Sequence, residues 1–246
     1  MNKDNVFRSS EFHMDTGDVL HMLIQDESGA TVAIGLYGSS EPDIVEDFNI
    51  GSVTDVDGNS YTTVTIGTQQ WMVENLKTTH YADGTAIPNL TIDGDWIADV
   101  TGAYCWYNND IVNATPYGAL YNWYAVTNAH GLAPAGWRIP TESDLDALML
   151  YVGGLTTAGI KLKEDGFTNW LVSSNPGTND YGFTAVGAGV RVGSTGVFSQ
   201  IRETVNFFNA TNSKAYQILY NYDYVSKLPA LYDKFGLSVR CVRDLI

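Results

Sequence analysis

The apolar residues of this chain come in short, β-prone islands separated by Gly, Asn, Asp and Thr, and only two stretches carry helical spacing. Such punctuation rules out a long helical bundle or a wide parallel sheet. It restricts the chain to small sheets, few helices and long ordered loops, an α+β pattern. The clearest helix is "IPTESDLDALMLYVGG". Thr141 stands at the N-cap with Asp144 three residues on, as in a capping box, and Glu142 and Asp144 place negative charge where the helix dipole favours it. Leu145, Leu148, Met149 and Val152 form the stripe to be buried, and Gly153-Gly154 stops the helix. "TPYGALYNWYAVTNAHG" is expected to be the other helix. There Thr115 is the cap and Pro116 the first helical residue, Tyr117, Leu120, Tyr121, Tyr124 and Ala125 recur at helical spacing, and Gly131 ends the run.

"SVTDVDGNSYTTVTIGTQQWMVENL" reads as a meander of short strands turning at Asp57-Gly58 and Gly67-Thr68. Beyond Gly154 the chain reads as irregular until three terminal islands, "AYQILYNY", "ALYDKF" and "LSVRCVRD". Near the start, apolar runs at Val19–Ile24 and Thr31–Tyr37 flank "QDESGA", a hairpin signal. The acidic "SSEPDIVEDFNIGS" follows as a linker or an edge segment. A boundary near Gly51 then gives a β-rich attachment or oligomerisation segment, 1–51, and a main domain, 52–246.

The net charge of −15 argues against nonspecific nucleic-acid binding, which needs a basic footprint. That acidity is concentrated early: residues 1–50 hold ten acidic residues against Lys3 and Arg8. Residues 200–246 are slightly basic, with six Lys or Arg against four acids. No apolar run reaches the roughly 18 residues of a membrane span, so no membrane insertion is expected. "MNKDNVFRSSEFHMD" has no apolar core, so no signal peptide is expected. Cys105 and Cys241 are the only cysteines and are read as buried free thiols rather than a bridge.

Catalytic and metal patterns are thin. His13, His21, His80 and His130 form no metal-spaced pair, and no His or Lys lies near either cysteine in sequence. Asp55, Asp57 and Asn59 resemble part of a calcium loop, but the downstream bidentate Glu is missing. "NND" at Asn108–Asp110 and "NPGTND" at Asn175–Asp180 offer oxygen ligands, though Asn-rich turns are their ordinary use. No cofactor is expected, with calcium kept as an alternative, and the chain is read as a non-enzyme.

Eight motifs in order, "DGNSYTTVTIGTQQWMVENL", "YADGTAIP", "AYCWYNND", "YGALYNWYAV", "PAGWRIPTESDL", "GGLTTAGIKLKE", "NDYGFTAVGAGVR" and "GLSVRCVRD", resemble the Fibrobacter succinogenes major paralogous (FISUMP) domain. The resemblance runs from about Thr54 to Asp244. It implies kinship with formylglycine-generating sulfatase modifiers and hence a C-type-lectin-like fold, in which the chain's end is an internal strand. Cys241 would pack there as a small hydrophobe. The paired reactive cysteines of those enzymes have no match here. The resemblance also implies a variable protein of a diversity-generating retroelement, mutated at template adenines. "FFNAT" at Phe207–Thr211 and "QIL" depart from the family pattern in the segment such mutation would alter, about 206–235.

That segment carries the expected binding surface: Asn209, Asn212, Ser213, Gln217, Tyr220, Tyr222, Asp223, Tyr224, Ser226, Lys227, Leu228 and Tyr232. Tyrosine gives large amphipathic contact at low entropic cost. Tyr220, Tyr222 and Tyr224 would share one face of a strand, either core or binding surface. The expected partner is a bacterial surface protein or glycan receptor, bound from a phage tail or a bacterial surface. A homo-oligomer, for instance a trimer, would add weak sites through avidity.

Overall fold

The computed structural model describes residues 22–25, 31–34, 51–229 and 233–245. The chain divides into two units, Met1–Asn49 and Ile50–Ile246. In the first, β1 (Met22–Gln25) pairs antiparallel with β2 (Thr31–Ile34), the hairpin expected around "QDESGA".

The second unit opens with the expected meander of β3 (Gly51–Thr54), β4 (Ser60–Ile66) and β5 (Gln69–Met72). Its two turns place Gly58 and Gly67 at φ of +83° and +63°, where glycine meets no Cβ penalty. In chain order there follow α1 (Asp93–Ala98), β6 (Tyr104–Cys105), α2 (Ala114–Tyr117), β7 (Leu120–Tyr121), α3 (Trp123–Val126), α4 (Glu142–Tyr151) and α5 (Leu155–Leu162). The remaining strands are β8 (Val190–Arg191), β9 (Phe198–Ser199), β10 (Thr204–Phe208), β11 (Ala215–Leu219), β12 (Val225–Leu228) and β13 (Val242–Asp244). The architecture is mixed α and β, with small antiparallel sheets and few helices. The two largest are a four-stranded sheet ordered β13-β5-β4-β3 and a three-stranded sheet ordered β10-β11-β12. Among the described residues no single helix is long and apolar enough to cross a membrane.

The chain's end ties these parts together. Val242 pairs with Trp71 of β5, Leu237 bridges Tyr121 of β7, and Ser238 bridges Phe207 of β10. Every residue from Leu237 to Val242 is buried. Tyr61, Met72, Leu76, Tyr121, Phe208, Leu237, Val239 and Cys241 belong to one apolar core. Burying that much apolar side chain is the main driving force for folding here. Arg240 is the charged exception in this run. Its guanidinium is buried, stacks 4.3 Å from the Phe183 ring and 5.1 Å from Phe207, and donates to Asn75 Oδ1 and the Phe183 carbonyl. Burial lowers its pKa to about 9. Both cysteines are free and buried, as the sequence reading has them. Burial pushes the Cys105 thiol up to about 12 and Cys241 well above the usual thiol range.

Helix α4 forms as its capping signals dictate. The Thr141 side chain accepts from the Asp144 N–H, and the Asp144 carboxylate accepts from the Thr141 N–H at 2.8 Å. The other expected helix does not form. Gly118 breaks it at φ +76°, where an added Cβ would lie 2.6 Å from the Asn75 side chain. Thr115 is no cap but sits inside α2 with extended φ and ψ of −129° and 121°. Leu120 and Tyr121 then pair with Cys105 and Tyr104, and Asn122, bonded to the Ala103 N–H and to Asp99, caps only the short α3. Tertiary pairing overrides the helical spacing there. Conversely, α5 lies in the stretch read as irregular. Thr156, Thr157 and Gly159 are weak helix formers that mask it. Packing decides for the helix: a Cβ at Gly159 would lie 2.6 Å from the Tyr224 carbonyl oxygen.

Candidate functional site

The three-stranded sheet sets out most of the expected binding residues. Register places Asn206, Gln217 and Ser226 side by side on one face, and Phe207, Tyr216 and Lys227 on the other. Tyr216 is core, 1% exposed, and its hydroxyl donates to Asp146 of α4 at 2.6 Å. Lys227 covers that ring 5.4 Å from its centroid and pairs with Asp146. Burial, then the Asp146 carboxylate, raises the Tyr216 pKa. Although burial works the other way, bonds from Lys227 and Tyr216 hold Asp146 below the usual carboxylate range.

The segment 220–224 is a turn between β11 and β12, not the alternating strand expected for Tyr220, Tyr222 and Tyr224. The reason lies in its carbonyls. The Lys163 ammonium, at the end of α5, donates to the carbonyls of Tyr220 and Tyr222, each at 3.2 Å, and of Asn175 at 2.8 Å. Ser173 Oγ also donates to the Tyr220 carbonyl, and the Ile160 N–H donates to the Asp223 carbonyl. In an extended strand the carbonyls of residues i and i+2 point the same way but lie about 6.5–7 Å apart, too far for one ammonium to bond both, so the chain has to turn. Lys163 is 1% exposed, and burial lowers its pKa to about 8. Tyr220 is half-buried, while Tyr222 and Tyr224 are 42% and 38% exposed. Their rings meet at 4.8 Å between centroids and 33° between planes. Asp223 accepts from the Asn175 amide at 2.6 Å.

Other expected site residues fall elsewhere. Asn209 is fully buried; its Oδ1 accepts from the Thr211 and Asn212 N–H groups and its amide donates to Asn212 and to the Lys214 carbonyl. It organises the β10–β11 loop and faces no ligand, because all its polar capacity is spent inside that loop. Ser213 is buried as well. Asn212 is half-buried and donates to Glu142 at 2.9 Å; that bond and Lys214 hold the Glu142 carboxyl below its usual range. Gln217, Ser226 and Leu228 are half-buried, and Leu228 packs against the main core. Tyr232 lies outside the described residues.

The acidic groups of the oxygen-rich turns are largely occupied by their own bonds. Asp55 accepts from Asn59 and Tyr61, and Asp57 from Thr78, Thr79 and His80. Asp110 caps the next turn through the Val112 N–H, and Asn179 holds Thr184. No group of three or more His, Cys, Asp or Glu converges among the described residues.

Lys163, Ser173 and Gly159 are the residues that sequence reasoning missed. The only signal was the spacing of Leu155, Ala158 and Leu162 across "GGLTTAGIKLKE".

The model of one protein family, described as the Fibrobacter succinogenes major domain, matches residues 64–243. Neither a curated protein nor a solved structure matches the chain.

Proposed function

The chain belongs to the Fibrobacter succinogenes major domain family, and from that premise we propose that it is a non-enzymatic receptor-binding protein that engages its ligand through the β11–β12 turn. One observation carries this reading. The scaffold grips the turn almost wholly by main-chain atoms, through Lys163, Ser173 and the Ile160 N–H. Apart from Asp223, held by the Asn175 amide, the turn's side chains are therefore free to vary without loss of its shape. Tyr222 and Tyr224, stacked and exposed, supply the contact area, and Gln217, Tyr220, Asp223, Ser226 and Lys227 surround them in sequence.

This is the division of labour a diversified binding surface requires, on the lectin-like architecture that the family's kinship implies. Variation within 206–235 would be tolerated at the turn and excluded at Asn206, Phe207, Phe208, Asn209 and Tyr216, all of which are buried. The raised thiol pKa values of Cys105 and Cys241 weigh against a sulfatase-modifier type of chemistry, which needs an accessible thiolate. The ligand is a bacterial surface protein or glycan, met from a phage tail tip, with weak sites adding in an oligomer.

The test is surface capture by intact bacterial cells. Labelled protein carrying Tyr222→Ala and Tyr224→Ala is expected to lose about tenfold or more in cell binding. Its Tm should stay within about 3 °C of the parent, because both rings are exposed. Undiminished capture at unchanged Tm would remove the turn from the binding surface. Sequencing the gene's 3′ end across isolates is an independent check: adenine-directed changes should fall on the exposed codons and spare the buried Phe207, Phe208, Asn209 and Tyr216.

A further inference from the structure

Three short segments, 91–93 at the start of α1, 108–109, and 197–198 at the start of β9, meet in an open cleft of about 540 Å³ that shares no residue with the tyrosine turn. That volume lies within the ~300–1,000 Å³ of ligand sites. The cleft is rigidly built. Arg191 is buried with its guanidinium 4.6 Å from the Trp96 ring and 4.8 Å from Phe198. It donates to the carbonyls of Leu90, Thr91 and Gly196 and to Asp93, so one side chain locks two of the segments. The Asn109 amide donates to the Thr91 carbonyl at 2.9 Å and locks the third.

The lining is unusual. Asn108 and Asn109 sit consecutively at φ of +55° and +56°. Asn tolerates left-handed backbone better than other non-glycine residues, and residues held there gather at ligand sites. Both are exposed, and the Asn108 amide makes no hydrogen bond among the described residues. Asp93 gives one oxygen to Arg191 and is otherwise 55% exposed. Ile92 and Val197, 64% and 54% exposed, add apolar surface beside the half-buried Phe198.

We infer that this cleft is a second, fixed binding site for a neutral saccharide. Asn108 offers both a donor and an acceptor, and Asn109 Oδ1 and the outer Asp93 oxygen offer acceptors. Vicinal hydroxyls, which donate and accept at once, match that set. The apolar side chains can cover the C–H face of a sugar ring. An anionic ligand is disfavoured: the cation present, Arg191, spends its donors on carbonyls and on Asp93, and the chain carries −15 overall.

The test is an NMR titration of the full chain with the methyl glycosides of glucose, galactose, mannose and N-acetylglucosamine. At least one is expected to shift amide signals of 91–93, 108–109 and 197–198, with a Kd of about 1 mM. Asn108→Ala and Asp93→Asn should each weaken it about tenfold, whereas Tyr222→Ala should not alter it. Asn108→Gly keeps the left-handed backbone, so its Tm should match or exceed the parent's while binding is lost. Absence of shifts across the panel, shifts centred on the tyrosine turn, or binding untouched by Asn108→Gly would each overturn the inference. So would tighter binding of a sulfated saccharide than of its neutral parent. Cell capture through Tyr222 and Tyr224 stands or falls separately.

Discussion

At the scale of single residues, the decisive side chain is a lysine to which the motif "GGLTTAGIKLKE" assigns no role. Lys163 is buried, its ammonium held by three carbonyls. A buried amine resists protonation, so its native pKa of about 8 lies below the 10.5 of a free lysine. Between those values the unfolded chain holds a proton that the native chain has released, so stability rises with pH across that window. Cys105 and Cys241 and then Tyr61, Tyr121 and Tyr216, whose pKa values are raised in the fold, act the other way once the free thiol and phenol ionise above about pH 9, while the lowered Arg240 acts with Lys163. The parent's urea midpoint is therefore expected to rise with pH relative to that of Lys163→Met between about pH 8 and pH 10. Lys163→Met should remove that contribution and leave the others. It should also release the 220–222 carbonyls, destabilising the fold by about 1–3 kcal/mol through unpaired acceptors.

At the scale of elements, α5 and the tyrosine turn form one unit. The helix meets the turn through Gly159, whose missing side chain admits the carbonyls of Asp223 and Tyr224. Gly159→Ala sets two effects against each other. Helix propensity gains about 1 kcal/mol, while a Cβ within 2.6–2.7 Å of two backbone oxygens forces the turn away. Backbone is harder to shift than the end of a side chain, so the clash wins. The variant is expected to lose about 1–3 kcal/mol in denaturant unfolding and to speed amide exchange at 220–224. The same contact explains why α5 escapes sequence reading: its glycine serves the partner surface, while the exposed Thr156 and Thr157 favour a helix only weakly. In α4 propensity, cap and apolar stripe agree, and the capping box is legible in the spacing of Thr141 and Asp144 alone.

At the scale of the whole molecule, residues 50–246 carry the apolar core, both larger sheets and both candidate sites. If residues 1–49 serve attachment or oligomerisation, a 50–246 fragment should keep its Tm within about 3 °C. It should sediment as a monomer and lose cell capture through lost avidity, not lost contact. A fragment that sediments like the full chain would place self-association in the main domain.

The family, the α+β class, the meander with its two glycine turns and the capped α4 were determined by the sequence alone. Each rests on local chemistry: a dipeptide that demands a turn, a cap three residues from its partner, motifs in order. The buried, free state of the cysteines was also readable, since two thiols in an apolar setting behave as small hydrophobes. Tertiary structure alone decided the rest. Leu120 and Tyr121 left a helical pattern to pair with β6. Asn209 spent its amide on its own loop, and three tyrosines expected on one strand face became a turn around a lysine about sixty residues earlier. Those outcomes depend on which distant backbone group lies within hydrogen-bond reach, and periodicity along a chain carries no record of that distance.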